Sequence, residues 1–223
     1  MTQVEWMTSD DPRAMFVAFI GKYSRRKVLL FAVAGCAACR ARSTDDRCWA
    51  AEEVVERFAD GLALPDEVAI ATAVANEARI SAYNTPDTPG RRRMSQCVAQ
   101  AACSLLGSTG LGESRGSISS ALDAVEYARK GAKGSTWAQT RLLRDIVGNP
   151  FRPLTFDHSW GTTDVMLLAQ GIYADRAFDR MPILADALQD AGCDNADILD
   201  HCRDTNQVHV RGCWVVDLVL GKQ

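Results

Sequence analysis

The chain has 223 residues, of which 47% are hydrophobic and 24% are charged, and its formal net charge is -3. This length suits one domain, or one domain with a small additional lobe, and the composition is that of a globular protein rather than a disordered or membrane-embedded one. The nearly neutral charge gives no general attraction to nucleic acid or to an anionic membrane, because such binding depends on excess positive charge.

Helix-start signals mark the N-terminal part of the chain. Thr2 with Glu5 fits a capping box, and Asp11 followed by Pro12 fits the start of a second helix. Ser24 is suited to cap a third helix. Because that third helix is apolar on all sides, we predict that it is buried.

The segment RRKVLLFAVAGCAACRAR, residues 25–42, has three interpretations. It resembles a lipoprotein signal, it contains the pair Cys36 and Cys39 of a redox or metal motif, and it has the pattern of a buried helix. An acidic, helix-patterned leader precedes it, and its uncharged run is far shorter than the ~20 residues of a membrane span. Both cysteines lie in mid-helix, where burial opposes formation of a reactive thiolate. We therefore favour the buried helix over the other two interpretations.

Two loops in the middle of the chain could in principle contact phosphate. Arg91, Arg92 and Arg93 offer positive charge, but no aromatic residues are interleaved to stack on bases, and a solvated loop is favoured. The Gly/Ser-rich segment 107–117 has Glu113 where a phosphate-binding loop requires lysine, which indicates a connector. Helices are predicted around these loops, over residues 44–60, 65–83, 96–106, 118–129 and 136–147.

The sequence GNPFRP, residues 148–153, is a stiff and extended break, because each proline disfavours helical geometry in the residue before it. We predict an N-terminal helical lobe over residues 1–148 and a smaller C-terminal helical lobe over residues 149–223, or one continuous domain. Short helices are expected in the second part over 162–173, 182–191, 195–203 and 210–220. The predicted fold class is an all-α multi-helix bundle, with at most a minor strand at 215–220.

The C-terminal segment holds the densest group of metal-ligand side chains. Two of the chain's three histidines and three of its eight cysteines lie between residues 193 and 213, and such ligands suit a borderline-soft ion such as zinc. The spacings match no zinc finger or ribbon, and each residue has an alternative role as a core thiol or a helix cap. A zinc site in this segment is predicted to use Cys193, His209, Cys213 and either His201 or Cys202.

The sequence gives little evidence of catalysis. It has no His-Glu-x-x-His motif, and His158 has no evident nucleophile as a partner. Residues 112–116, GESRG, fit the Gly-x-Ser-x-Gly pattern, but they lie within the Gly/Ser-rich segment interpreted above as a connector. We therefore predict no catalytic residues, and no cofactor other than zinc as the alternative described above.

Motifs near both ends of the chain resemble a family of uncharacterised bacterial proteins. The longest are LLRDIVGNPFRP at 142–153 and HVRGCWVVDLVLGK at 209–222, with shorter ones at 27–34, 56–61, 172–179 and 182–188. The stretch LADALQDAGCDNAD, residues 184–197, is similar to the repeat-companion helical domain, with Ala187 where that domain typically has tryptophan. Neither resemblance implies an activity, and neither supplies catalytic residues.

The favoured functional hypothesis is a non-enzymatic interaction or regulatory module that binds another protein through a helix groove. It depends chiefly on the weakness of the evidence for catalysis. Cysteines within alanine-rich stretches, such as Cys97 and Cys103, behave as small hydrophobic residues and point to a reducing cytoplasm. The alternatives are a zinc protein using the C-terminal cysteines and histidines, and a nucleic-acid contact through Arg91 to Arg93.

Overall fold

A computed structural model describes residues 1–18, 22–37, 45–84, 96, 99–104, 109, 122–127 and 136–222. Every regular element within these ranges is a helix and none is a strand, so the predicted all-α fold is confirmed. The ambiguous stretch 215–220 is helical as well. Among the same residues, no helix is both long enough and apolar enough to cross a membrane.

We number the helices that carry the argument in chain order. They are α1 (Gln3–Thr8), α2 (Pro12–Ala18), α3 (Arg25–Ala37), α4 (Asp46–Ala59), α5 (Pro65–Asn84), α6 (Thr136–Val147), α7 (Thr163–Asp175), α8 (Met181–Asp190), α9 (Ala196–Arg203) and α10 (Trp214–Leu220). Residues 99–104 and 122–127 are also helical. Single turns of 3-10 helix lie at His158–Trp160 and Phe178–Arg180.

Side-chain caps explain where several helices begin. The Thr2 hydroxyl accepts the Glu5 N–H at 3.3 Å, and the Glu5 carboxylate accepts the Thr2 N–H at 2.7 Å, which confirms the predicted capping box. Ser24 accepts the N–H of Lys27 at the start of α3. Asn195 caps α9 by accepting the N–H of Ile198. These caps satisfy N–H groups that the helices themselves leave without partners.

The third helix is buried along almost its whole length, as its apolar pattern predicts. Eight of the residues of α3 are buried, and these are Val28, Leu29, Leu30, Phe31, Ala32, Val33, Gly35 and Cys36. The structure thus agrees with the interpretation of this segment as a core helix. Cys39, the second cysteine of the pair, lies outside the described residues.

The described residues form two compact units, which are treated separately below. One unit is Asp10–Gln139, in which α3, α4 and α5 pack in chain order. The other combines Met1–Ser9 with Thr140–Gln223, and we call it the C-terminal unit. The division of the chain into separate lobes between residues 148 and 149 stays a prediction. The C-terminal unit nevertheless takes in α1 and the end of α6, which the sequence assigned to the N-terminal lobe.

The core of the C-terminal unit lies between α7, α8, α9 and α10. Helix α8 packs against α7 and α9, and α10 packs against α7. The core consists of apolar side chains and free thiols, chiefly Val165, Ala169, Ile172, Met181, Leu184, Leu188, Cys193, Ile198, Cys202, Cys213, Val215 and Val216. Burial of these side chains is the main source of stability for this unit.

The last helix begins later than the sequence indicates. The sequence predicts a start at Val210, and this is wrong because α10 begins at Trp214. The Val210 N–H donates to the Asp145 carboxylate at 2.9 Å, and Gly212 has a φ of +94°, which is outside the helical region. Residues 210–213 therefore form a turn, closed by a hydrogen bond from the Cys213 N–H to the Val210 carbonyl oxygen.

Leu184→Ala is expected to lower the free energy of unfolding by about 2 to 5 kcal/mol, because the side chain is fully buried and its loss leaves a cavity. Leu167 lies 61% exposed on α7, and Leu167→Ala is expected to cost no more than about 0.5 kcal/mol. Urea denaturation followed by circular dichroism measures both values. Equal costs for the two variants would contradict the assigned core.

Candidate metal centre

Four side chains from separate parts of the C-terminal unit meet at one place. Asp145 comes from α6, His201 from the last turn of α9, His209 from the loop before α10, and Cys213 from the residue that precedes α10. Each supplies one atom able to bind a metal, and these four atoms all lie within 4.8 Å of one another. We call these four residues the DHHC group.

Asp145 is the most deeply buried charged member of the group, with no exposed surface. Its Oδ2 atom accepts the backbone N–H of Val210 at 2.9 Å. Its Oδ1 atom lies 2.8 Å from His209 Nδ1 and 3.2 Å from His201 Nε2. The backbone contact fixes the orientation of the carboxylate, so that one oxygen faces both imidazole rings.

Cys213 completes the group from the other side. Its Sγ atom lies 3.3 Å from His201 Nε2 and 3.8 Å from His209 Nδ1. The turn at residues 210–213 brings His209 and Cys213 to the same side of the chain, and the left-handed conformation of Gly212 forms part of that turn. Cys213 has no exposed surface, whereas the His201 side chain is 14% exposed and that of His209 is 6% exposed.

Four of the six separations between these atoms are close to those around a tetrahedral ion, and the other two are no longer than 4.8 Å. Zinc bonds of about 2.0 to 2.3 Å to oxygen, nitrogen and sulfur place neighbouring ligand atoms about 3.3 to 3.6 Å apart. Here the four measured pairs are separated by 2.8, 3.2, 3.3 and 3.8 Å. Small side-chain movements would therefore suffice to place all four atoms at bonding distance from one ion.

A Cys-His-Asp catalytic relay is a different arrangement from the one observed. A relay requires the histidine to contact the nucleophile with one ring nitrogen and the carboxylate with the other. His201 instead directs the same atom, Nε2, towards both Cys213 Sγ and Asp145 Oδ1. His209 likewise uses Nδ1 for both of its contacts. Neither ring therefore bridges the thiol and the carboxylate through its two nitrogens, as a relay requires.

Burial disfavours the negatively charged forms of both Cys213 and Asp145. Burial raises the pKa of the Cys213 thiol well above its ordinary value, and the charge of Asp145 raises it further. Burial also acts to raise the pKa of Asp145, but the hydrogen bonds from His201 and His209 and the positive charge of these rings outweigh it, so the pKa is lowered. A buried carboxylate held in its charged form requires a positive partner, which a histidine or a metal ion can supply.

Aromatic contacts hold the two imidazole rings in place. The His201 and His209 rings meet edge to face with centroids 4.8 Å apart, and the indole of Trp214 lies 5.0 Å from the His201 ring. His209 Nε2 is buried and has no hydrogen-bond partner among the described residues. Only Nδ1 of this ring therefore takes part in the described polar network.

The structure brings together three of the five candidate ligands that the sequence provides. His201, His209 and Cys213 belong to the DHHC group, whereas Cys193 and Cys202 do not. Both of these cysteines lie in the hydrophobic core, where they have the alternative role of core thiols.

Asp145 is the member of the DHHC group that the sequence analysis missed. It lies about 60 residues before the others in the chain, and α6 places it beside the buried residues Leu142 and Ile146. Residues at these spacings share one face of a helix. A carboxylate at the helical spacing of the apolar residues Leu142 and Ile146 is the signal that would have identified it, because such a group must find a partner when buried.

Most of the other candidate sites from the sequence lie outside the described residues. Arg91, Arg92 and Arg93 lie outside the described residues, as does almost all of the Gly/Ser-rich segment 107–117. His158 is described, and it lies exposed in a 3-10 turn. The hypothesis of a nucleic-acid contact therefore stays a prediction.

The thiols of Cys202 and Cys213 are expected to react slowly with iodoacetamide at pH 8 in the folded, metal-free protein. Burial raises the pKa of Cys202 to about 12 and that of Cys213 well above 9, so very little thiolate forms at either residue. Mass spectrometry of labelled peptides, before and after denaturation, measures the difference. Equal labelling rates of a thiol in the folded and denatured states would show that this thiol is open to solvent in the folded protein.

Comparison with known proteins gives no relative for this chain. No family model, no curated protein and no solved structure matches it. The resemblances drawn from the sequence motifs therefore stay predictions.

Proposed function

We propose that this chain is a metal-binding protein in which one divalent ion joins Asp145, His201, His209 and Cys213. The observation that supports it is the convergence of four ligand atoms within 4.8 Å. Two imidazoles, one thiolate and one carboxylate are the ligands of a borderline-soft ion, and zinc is our first choice. The thiolate and the carboxylate together balance the two charges of the ion, which leaves the buried site neutral.

The ion is proposed to have a structural role. Four protein ligands complete a tetrahedral zinc site, whereas catalytic sites keep one position open for water or substrate. The burial of Asp145 and Cys213 supports a closed site. Such an ion would link α6, α9 and the start of α10 in the C-terminal unit, and its binding free energy would add to the stability of that unit.

A structural ion is compatible with the non-enzymatic module suggested by the sequence. The ion would fix the shape of the C-terminal unit, and the binding of another protein stays a prediction about its surface. A reducing compartment such as the bacterial cytoplasm fits the proposal, because a zinc-binding thiol must remain reduced. Cys193, Cys202 and Cys213 are all free thiols, which supports this assignment.

Elemental analysis of the purified full chain, after removal of any affinity tag, tests the proposal. We expect about one zinc ion per chain in the wild type and a large loss in His201→Ala. His158→Ala changes an exposed histidine that lies outside the DHHC group, and it should keep the ion.

Replacement of the ion with cobalt(II) provides a second measurement. Tetrahedral coordination with one thiolate is expected to give absorption bands in the visible and near-ultraviolet that are much weaker in His201→Ala at the same cobalt concentration. Absence of a bound ion in the wild type, even after incubation with zinc or cobalt under reducing conditions, would disprove the proposal. Equal binding by His201→Ala and the wild type would disprove the assigned ligands.

A further inference from the structure

Helix α1 belongs to the same unit as the DHHC group, although more than 130 residues separate the two in the chain. Trp6 is its buried side chain and has no exposed surface. The indole Nε1–H donates to the Gly148 carbonyl oxygen at 3.2 Å. Gly148 directly follows the last residue of α6, the helix that carries Asp145. The indole therefore anchors α1 to the end of the Asp145 helix.

Arg144 makes a second connection between the same two helices. Its guanidinium donates to the Trp6 carbonyl oxygen through Nε at 3.1 Å and through one terminal nitrogen at 2.9 Å. The same terminal nitrogen donates to the Ser9 carbonyl oxygen at 2.6 Å. Trp6 lies in the last turn of α1 and Ser9 is its C-cap, and a helix leaves the carbonyl groups of this region without internal partners. Arg144 thus binds the end of α1 and immediately precedes Asp145 in the chain.

Gly148 also lies close to Trp214, which packs beside the His201 ring. Its φ is +72°, and a Cβ atom built on it would lie 3.0 to 3.3 Å from three atoms of the Trp214 ring. The Trp214 ring in turn lies 5.0 Å from the His201 ring. The absence of a side chain at Gly148 therefore allows the indole to pack between the backbone and a ligand ring.

From these contacts we infer that Trp6 and Arg144 are positioning residues for the metal centre. This inference rests on the proposed metal function of the DHHC group. Arg144 and the α1 carbonyl oxygens hold the part of α6 that presents Asp145, while Trp6 and Gly148 hold the backbone against which Trp214 and His201 pack. Mutation of residues that hold the ligands of a metal, without binding the metal themselves, commonly lowers metal affinity by about 10- to 100-fold, because these residues set the orientation of the ligands.

Arg144→Met in the full chain is the main test, since it removes the hydrogen bonds to α1 and keeps much of the side-chain bulk. We expect the dissociation constant for cobalt(II), measured by competition with a chromogenic chelator, to rise about tenfold or more, and the visible band to shift. Arg144→Lys retains a donor that can reach one carbonyl oxygen, and it should restore part of the affinity.

Thr162→Ala is the matched stability control. Thr162 caps α7, which supplies no ligand, and loss of this cap costs about 1 kcal/mol of stability. We expect the dissociation constant and spectrum of this variant to equal those of the wild type. An unchanged dissociation constant in Arg144→Met, or an equal rise in Thr162→Ala, would overturn the inference.

Two glycine substitutions provide a second test if Arg144→Met does not fold. Gly148→Ala introduces both backbone strain and a contact with Trp214, whereas Gly221→Ala introduces the strain alone, because its φ is +64° and no atom lies within 4 Å of the added Cβ. Weaker cobalt binding only in Gly148→Ala would support the inference, and equal binding by the two would overturn it. A wild type that binds no cobalt would instead disprove the proposed function itself.

Discussion

Asp145→Asn is expected to lower the free energy of unfolding of the metal-free protein by about 3 to 5 kcal/mol. Removal of one partner from a buried charged network has this effect because the remaining groups lose their counter-charge without regaining water. The carboxylate is fully buried and accepts the Val210 N–H, and it lies within 3.2 Å of both His201 and His209. The asparagine keeps the size of the side chain but not its charge. Urea denaturation in the presence of a chelator measures the change.

Asp197→Asn provides the control for this variant. Asp197 lies on α9 in the same unit, but its carboxylate is partly exposed and pairs with Arg152 at 3.2 Å near the surface. Exposed pairs of this kind contribute about 0 to 1 kcal/mol. A cost for Asp145→Asn no larger than that for Asp197→Asn would mean that the Asp145 carboxylate does not organise the site.

The same residue shows how far the sequence could predict the site. His201, His209 and Cys213 lie within 13 residues of one another, so their combination is visible in the sequence as a local excess of ligand side chains. Asp145 reaches the site only because α6 packs against this segment. A tertiary contact of this kind has no signature in local spacing. The only local trace is a carboxylate at the helical spacing of Leu142 and Ile146.

Local chemistry predicted the starts of helices well where the cap lies beside the helix it begins. Thr2 with Glu5, Ser24 and Asn195 each satisfy N–H groups within three residues, and the structure contains all these contacts. The predicted helix start at Val210 was wrong, because a residue distant in the sequence binds the backbone there. The Val210 N–H is bound by Asp145 from α6, and the helix begins four residues later. The error and the missed ligand thus have the same physical cause.

The organisation of the chain into units was also beyond local prediction. GNPFRP correctly marks the end of α6, although it forms a turn closed by a hydrogen bond from the Arg152 N–H to the Asn149 carbonyl oxygen and not the extended segment predicted. The end of a helix does not determine which helices share a core. Trp6 and Arg144 join α1 to α6 across more than 130 residues of sequence. The capping box predicts that α1 exists, and nothing in its six residues indicates where it packs.

Removal of zinc is expected to lower the thermal stability of the C-terminal unit by a large amount. A ligand that binds only the folded state stabilises it by about 4 kcal/mol when its free concentration is 1,000 times its dissociation constant. For a unit of this size, that free energy corresponds to a shift in Tm on the order of 10 °C or more. Calorimetry with zinc, with a chelator, and with zinc restored after chelation measures the shift and its reversal.

Substitutions of two buried cysteines separate the contribution of the ion to stability from the contribution of side-chain packing. Cys213 and Cys202 are both buried thiols of the same core, but only Cys213 belongs to the DHHC group. Each substitution by alanine should cost on the order of 1 kcal/mol in the metal-free protein, because it removes one buried sulfur atom. Cys202→Ala should keep the zinc-dependent rise in Tm, and Cys213→Ala should lose most of it, because three ligands bind zinc more weakly than four. If both variants kept the full rise, the ion would bind elsewhere in the chain, and if both lost it, packing around Cys202 would control the site as much as coordination by Cys213.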